Sequence, residues 1–271
     1  MTENIDATVP SKLAEWVDAH QAQGLYFFSR QEAVKNLQMS DIAFKMAVSR
    51  LQKKERILRI LSGFYIIVPL EFSSTRVLPA DWFIADLMAH MRRPYYVGLL
   101  SAAAIHGAAH QQPQQFQVVT TGPLRRLQVR TLSVRFFSKR NFEVTPVVST
   151  KVQTGFIPVS TPEGTAIDLI RYARAIGGLD RVLTVLQELG ETMDRLKLVG
   201  AIKADGNLAY GQRLGWLLER AGHSELVEGL LEWIRERNPL PAKLEPSLPI
   251  RGAEKDPHWQ LLINTEVEAD L

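Results

Sequence analysis

The sequence predicts an α+β fold in two parts: a small helical module closed by a hairpin within residues 1–70, and a larger mixed domain over residues 71–271. Three observations carry this. Apolar residues recur at helical spacing in three short segments before residue 54, and two extended runs joined at Ser62-Gly63 follow at once. Five β-branched or aromatic runs then crowd residues 116–159. Helical periodicity returns from Pro162 to Arg237, so strands are grouped rather than alternating one-for-one with helices, which marks α+β rather than α/β.

In order, a first helix is expected from about Ser11 to Ala22, with Leu13, Trp16, Val17 and His20 on one face and Gly24 ending it. Leu25–Phe28 reads as a short extended run. Ser29-Arg30-Gln31-Glu32 has the form of a capping box, in which Ser29 and Glu32 satisfy amides at the start of a second helix. Ala33, Val34 and Leu37 give that helix its buried side. Gln38-Met39-Ser40 is a three-residue turn into a third helix, where Ser40 and Asp41 supply oxygens to the first-turn amides. There Phe44, Ala47, Val48 and Leu51 form the apolar stripe, while Lys45, Ser49, Arg50 and Lys53 lie away from it with Ile42 and Met46 among them.

From Lys45 to Arg59 there are six basic residues against the single acid Glu55. Helix, strand, helix, turn, helix and hairpin within seventy residues is the order of a winged helix-turn-helix, a module that reads duplex DNA. A helix docked in the major groove needs one dry face and one face of long donors. The plainer alternative is a solvated amphipathic helix. The hairpin is irregular on paper: Glu55-Arg56 stands where glycine often precedes the wing, and alternation over Arg56–Leu61 is not clean.

Pro69 and Glu71-Phe72-Ser73-Ser74 mark a boundary. Asp81 is expected to cap a helix from Trp82 to about Met91, ended by Arg92-Arg93-Pro94, and Tyr95–Gly107 reads as a second helix rich in small residues. The polar loop Gln111–Gln115 leads to strands at Phe116–Thr121, Leu127–Arg130, Leu132–Phe137, Val144–Ser149 and Phe156–Val159. Ser160-Thr161-Pro162-Glu163 resembles a capping box at the start of the next helix, which Gly177-Gly178 stops. Helices follow at about 179–189, 194–201, 208–221 and 224–237. Pro239, Pro241, Pro246 and Pro249 then leave an extended arm, and Trp259–Asn264 reads as a last strand.

Composition narrows the function classes. A chain of 271 residues with 46% hydrophobic and 23% charged content is ordinary for a globular protein of about two domains. It holds no run near the ~18 apolar residues of a membrane span, and MTENIDATVP lacks the basic and apolar regions of a signal peptide. The absence of cysteine excludes disulfides and thiolate metal sites and fits a cytoplasmic protein. The net charge of +3 hides a gradient. Residues 122–151 carry seven Lys/Arg against Glu143 alone, whereas residues 205–271 carry seven basic and twelve acidic residues. The basic segments suit a polyanion, and the acidic end is expected to face solvent or a protein partner. Arg125, Arg126, Arg130, Arg135 and Arg140 are candidates for a second DNA contact, or equally for a solvated sheet face.

No catalytic signature is present, and no catalytic residue, metal site or cofactor is expected. There is no Gly-rich phosphate loop, nucleophile elbow or H-E-x-x-H, and no E-x-K or D-x-K tripeptide. His106 and His110 stand four apart, but packed or capping roles suit them better than a metal without a third ligand. Glu266, Glu268 and Asp270 alternate in a terminal tail where solvation is the default. Trp216, Leu217 and Trp233 read as core.

A series of short motifs runs in order along the chain: Gly63-Phe64-Tyr65, Tyr95-Tyr96, Ser101-Ala102, His106-Gly107, Ser160-Thr161-Pro162-Glu163 with Asp168-Leu169-Ile170, and Gln212–Leu218. Ile263-Asn264 with Val267-Glu268 and Asp270 closes the series. In these the chain resembles the AbiE-type antitoxins, the regulator half of abortive-infection type IV toxin–antitoxin operons. The resemblance implies an N-terminal winged helix on operator DNA and a C-terminal domain counteracting a nucleotidyltransferase-like toxin, with or without a stable complex. We therefore expect a non-enzymatic antitoxin that represses its own operon from inverted repeats. Lys45, Ser49, Arg50 and Lys53 are the expected groove contacts; Ser29, Arg30, Gln31, Lys54, Arg56 and Arg59 are the expected phosphate contacts. The alternatives are neutralisation by direct binding through the acidic C-terminal region, or an enzyme that modifies the toxin.

Overall fold

The computed structural model describes residues 12–72, 77–108 and 113–269. Ser11, Ser73, Ser74, His110, Gln111 and Asp270 lie outside the described residues. The chain divides into two compact units. One holds the described residues up to Pro94 with Arg126–Val134 and Lys151–Ile157; the other holds Tyr95–Arg125, Arg135–Thr150 and the residues from Pro158 onward. The architecture is mixed α+β, with eleven α-helices and three sheets among the described residues. No helix among them is long and apolar enough to cross a membrane.

The first unit runs α1 (Lys12–Ala22), β1 (Phe27–Ser29), α2 (Arg30–Leu37), α3 (Asp41–Lys53), β2 (Ile57–Leu61), β3 (Phe64–Ile67) and, later, α4 (Ile84–His90). The strands form an antiparallel sheet in the order β1-β3-β2. Its core joins Leu13 and Val17 of α1, Phe44, Ala47, Val48 and Leu51 of α3, and Phe28, Ile57, Tyr65 and Ile67 of the sheet. Phe28 stacks on Tyr65, whose other neighbour is the edge of Phe44. The α3 stripe is thus the dry side of the helix, as its spacing requires.

The irregular hairpin has local causes. Glu55 adopts φ +57°, the left-handed conformation for which glycine is the usual choice. Glu55 N–H bonds the Gln52 carbonyl and Arg56 N–H the Leu51 carbonyl, the paired bonds of a Schellman end to α3. A register shift between Arg59 and Leu61 places a bulge in β2, which is why alternation fails there. The two-residue Ser62-Gly63 turn has Gly63 at φ +78°.

Asp81 does not cap a helix. A 3-10 turn spans Ala80–Trp82, and Phe83 stands at the N-cap of α4 without a side-chain bond. Burial instead pushes the Asp81 carboxyl pKa up.

The remaining elements are β4 (Tyr95–Val97), α5 (Leu99–Ile105), β5 (Phe116–Thr120), β6 (Leu127–Val129), β7 (Leu132–Ser138), β8 (Val147–Val152) and β9 (Gly155–Ser160). Then come α6 (Pro162–Arg171), α7 (Ala173–Ile176), α8 (Gly178–Leu189), α9 (Arg195–Asp205), α10 (Leu208–Arg220) and α11 (Glu228–Arg237). The strands β10 (Ala242–Lys243), β11 (Glu254–Asp256) and β12 (Leu261–Ile263) close the chain. The large sheet has the order β6-β7-β5-β4-β9-β8, and the small one β10-β12-β11.

Tyr95–Gly107 is therefore not one helix. Tyr-Tyr-Val pairs with β5 and β9, and helix begins only after Gly98, where a Cβ would stand 2.8 Å from Val119. The cap of α6 is also one residue later than expected. Thr161 accepts from Gly164 N–H, Ser160 is spent on Thr165, and Glu163 accepts from Asp194 N–H. Leu169, Ile170, Val182, Leu186, Leu214, Leu217 and Trp233 lie in the core of this unit.

Candidate nucleic-acid interface and a buried ionic cluster

The outward side of α3 follows from its inward side. With Phe44, Ala47, Val48 and Leu51 buried, Lys45, Ser49, Arg50 and Lys53 are exposed, as are Ile42 and Met46. Ser40 caps the helix by accepting from Ala43 N–H. Gln38, at φ +48°, ends α2 in the left-handed conformation and turns the chain into α3 over three residues. Arg30 at the head of α2 meets Asp41 at the head of α3 at 2.6 Å and braces the two helices. Among the described residues no ion pair holds Lys45, Arg50 or Lys53.

The other expected phosphate contacts differ in availability. Ser29 is the N-cap of α2 in a complete capping box with Glu32. Arg56 is a structural anchor: it donates to Asp18, Gln21 and the Val68 carbonyl, tying α1 to the end of the hairpin. Arg59, in the hairpin, is exposed and among the described residues makes only a long bond to the Leu61 carbonyl. Gln31 and Lys54 are exposed.

The second basic set also separates. Arg126 donates to Ser133 and Gln128, and Arg130 meets Glu55 at 3.2 Å within the first unit. In the second unit, Arg135 donates to the Ala175 carbonyl at 2.6 Å and lies over the Phe137 ring. Arg125 and Arg140 are exposed.

Sequence reasoning did not find the charged cluster inside the second unit. Asp168, on the inner side of α6, is fully buried. Its Oδ1 accepts from Lys139 Nζ at 2.7 Å and its Oδ2 from the Tyr96 hydroxyl at 2.6 Å. Lys139 also donates to Thr145 at 2.7 Å and stands 3.7 Å from Asp205, which Arg171 holds from its other side. Burial pushes the Asp168 carboxyl up against the opposing pull of Lys139. Burial, then the nearby Asp168 charge, raises the Tyr96 phenol. Burial is the largest influence and works against the Arg171 charge, but Asp205, Tyr210 and Asp168 together outweigh it and the guanidinium pKa is raised.

Two cations thus balance two carboxylates, the Tyr96 hydroxyl serves one Asp168 oxygen and Thr145 accepts a hydrogen bond from Lys139, while Asp205 Oδ1 and Arg171 Nε have no hydrogen-bond partner among the described residues. The one sequence signal was Asp168 beside Leu169-Ile170, a carboxylate embedded in an apolar helix run. The cluster is a fold determinant in form.

His106 donates through Nε2 to the Ser160 carbonyl at 2.7 Å, a packing role. No group of three or more His, Cys, Asp or Glu among the described residues could hold a metal. Gly215 of the Gln212–Leu218 run lies against Trp259, which is fully buried.

Residues 96–220 match the family model of the AbiEi antitoxin C-terminal domain. No curated protein matches the chain. The crystal structure of the RV2827C protein from Mycobacterium tuberculosis is similar in fold, with a TM-score of 0.62 at 15% identity over 91% of this chain and 89% of that one. The segment matched by the family model contains Tyr96, Lys139, Asp168, Arg171 and Asp205, the whole ionic cluster. Residues 96–220 therefore match an AbiEi-type antitoxin domain, and this match supports an AbiE-type antitoxin family for the chain.

Proposed function

We propose that the protein is the antitoxin of a type IV toxin–antitoxin pair and represses its own operon through a winged helix-turn-helix in residues 1–70, with residues 71–271 as the antitoxin domain. The observation that carries the DNA reading is the outward face of α3, where Lys45, Arg50 and Lys53 are exposed around Ser49 and unpaired among the described residues. Cations held free on a rigid helix, beside a hairpin, are placed to meet phosphates and base edges. Lys54, Arg59, Arg30 and Gln31 supply the flanking phosphate contacts in this reading, and Ser29 acts through its cap. Arg125 and Arg140, in the second unit, supply a separate second contact with double-stranded operator DNA bearing inverted repeats.

The partner of the antitoxin domain is a nucleotidyltransferase-like toxin, and the protein acts on it without a cofactor or catalysis of its own. Two experiments test the pair of claims. The Lys45→Ala/Arg50→Ala/Lys53→Ala variant, folded by circular dichroism, is expected to lose its shift of the DNA upstream of its own reading frame. An unchanged shift overturns the DNA assignment. Co-expression with the neighbouring toxin is expected to rescue growth without co-purification, whereas a stable complex supports neutralisation by direct binding.

A further inference from the structure

Two of the most outward side chains of α3 are not basic. Ile42 is 76% exposed and Met46 56% exposed, although the helix has already buried a full apolar stripe on its other side. At 100° per residue, Ile42, Met46, Ser49 and Lys53 form the ridge opposite the core, with Lys45 on one flank and Arg50 on the other. Ile42 and Met46 stand one turn apart, four residues separated, and lie in the N-terminal half of the helix. That half is the one that reaches base edges when such a helix enters the major groove. Single exposed apolar residues are ordinary on protein surfaces. Two adjacent ones at the crest of a face rimmed by three cations are a different matter. A protein partner is disfavoured, because lysine is depleted from protein interfaces while this crest is bordered by Lys45 and Lys53.

Resting on the DNA-binding reading above, we propose that Ile42 and Met46 are specificity residues that read thymine methyl groups in the major groove. The chemistry is selective. Of the four bases only thymine presents a methyl group there, and an apolar side chain is its natural contact. Ile42 supplies a stiff, branched surface and Met46 an adaptable one, so the two suit a fixed and a variable thymine position respectively. Lys45 and Arg50, on the flanks, remain groove contacts on either side of the two methyl-reading side chains. The operator half-site therefore contains at least two thymines beneath the first two turns of α3.

The test uses the full chain and the DNA upstream of its own reading frame, prepared once with thymine and once with deoxyuridine throughout. This exchange removes the methyl groups and leaves base pairing intact. Burial of one methyl corresponds to roughly a fourfold change in affinity. The wild-type protein is expected to bind the deoxyuridine fragment at least about sixteenfold more weakly, and Ile42→Ala/Met46→Ala to bind both fragments equally. Both side chains are exposed, so this variant keeps its fold, and its thermal unfolding checks that. Sequence-specific binding that ignores the exchange overturns the thymine proposal while leaving DNA binding in place. Discrimination that persists in the double variant overturns the assignment to these two residues. A wild-type chain that binds neither fragment specifically, and that dimerises only while Ile42 and Met46 are present, overturns both readings in favour of a contact between copies.

Discussion

Lys139 Nζ lies 2.7 Å from Asp168 Oδ1, with 2% and 0% of the two side chains exposed. Removing one partner strands the other as an uncompensated buried charge, and such losses cost about 3–5 kcal/mol. Lys139→Met is therefore expected to destabilise the second unit by that amount in urea unfolding. Lys139→Met/Asp168→Leu, which removes both charges, is expected to lose less than the two single variants together. Additive losses would show that the pair is not coupled.

Gly215 is fixed by what lies above it. A Cβ at this position would fall 2.1 Å from the ring of Trp259, and that ring is fully buried and held by a bond from its Nε1 to Glu219 at 2.7 Å. Gly215→Ala must displace the indole, so the expected cost is about 1–3 kcal/mol or more. Trp259 fluorescence should shift to the red in the variant while secondary structure is kept. An unshifted spectrum with full stability would contradict the packing.

Glu55 carries backbone strain that its side chain partly offsets. Its left-handed φ of +57° costs about 1 kcal/mol relative to glycine, and its pair with half-exposed Arg130 returns only a fraction of that. Glu55→Gly is expected to be neutral or slightly stabilising, and Glu55→Val clearly destabilising because a β-branched residue resists this conformation. Thermal midpoints of the three proteins give the order directly.

Asp86 gives the first unit a pH dependence. Burial, followed by the charge of Glu32, raises its pKa from 3.8 to about 6. A raised folded-state value means that the native form holds its proton more tightly than the unfolded chain does. Its favourable contribution is full below pH 3.8 and is lost as the pH rises through about 6. Asp86→Asn is expected to raise stability at neutral pH and to flatten the stability profile across that window. A profile unchanged by the substitution would refute the shift.

Local signals in the sequence were sufficient for α2 and α3. Their caps at Ser29 and Ser40 and the stripe from Phe44 to Leu51 are set by neighbours within four residues. Signals that depend on distant chain were not. Gly98 starts α5 because Val119 comes close behind it, and no spacing rule within Tyr95–Gly107 reveals that approach. The bulge in β2 obscured the hairpin's alternation for the same reason, since register is a property of two strands. The ionic cluster joins Tyr96, Lys139, Asp168 and Asp205 across four elements or their flanks. A lone lysine or aspartate in sequence carries no sign of such a partner. On α3 the spacing separated the buried from the exposed residues, and the two exposed apolar ones gained meaning only once their 76% and 56% exposure was known.

Ser29 ends β1 and caps α2, so strand and helix meet with no linker between them. The next residue, Arg30, donates its N–H to the Gly63 carbonyl at the tip of the hairpin. The hairpin and the α2–α3 pair are thereby locked as the two jaws of a calliper whose gap is set before any ligand arrives. A surface gripped by both jaws would not have to freeze a loop in order to be gripped, so that portion of the entropy cost of association is already met in the free protein.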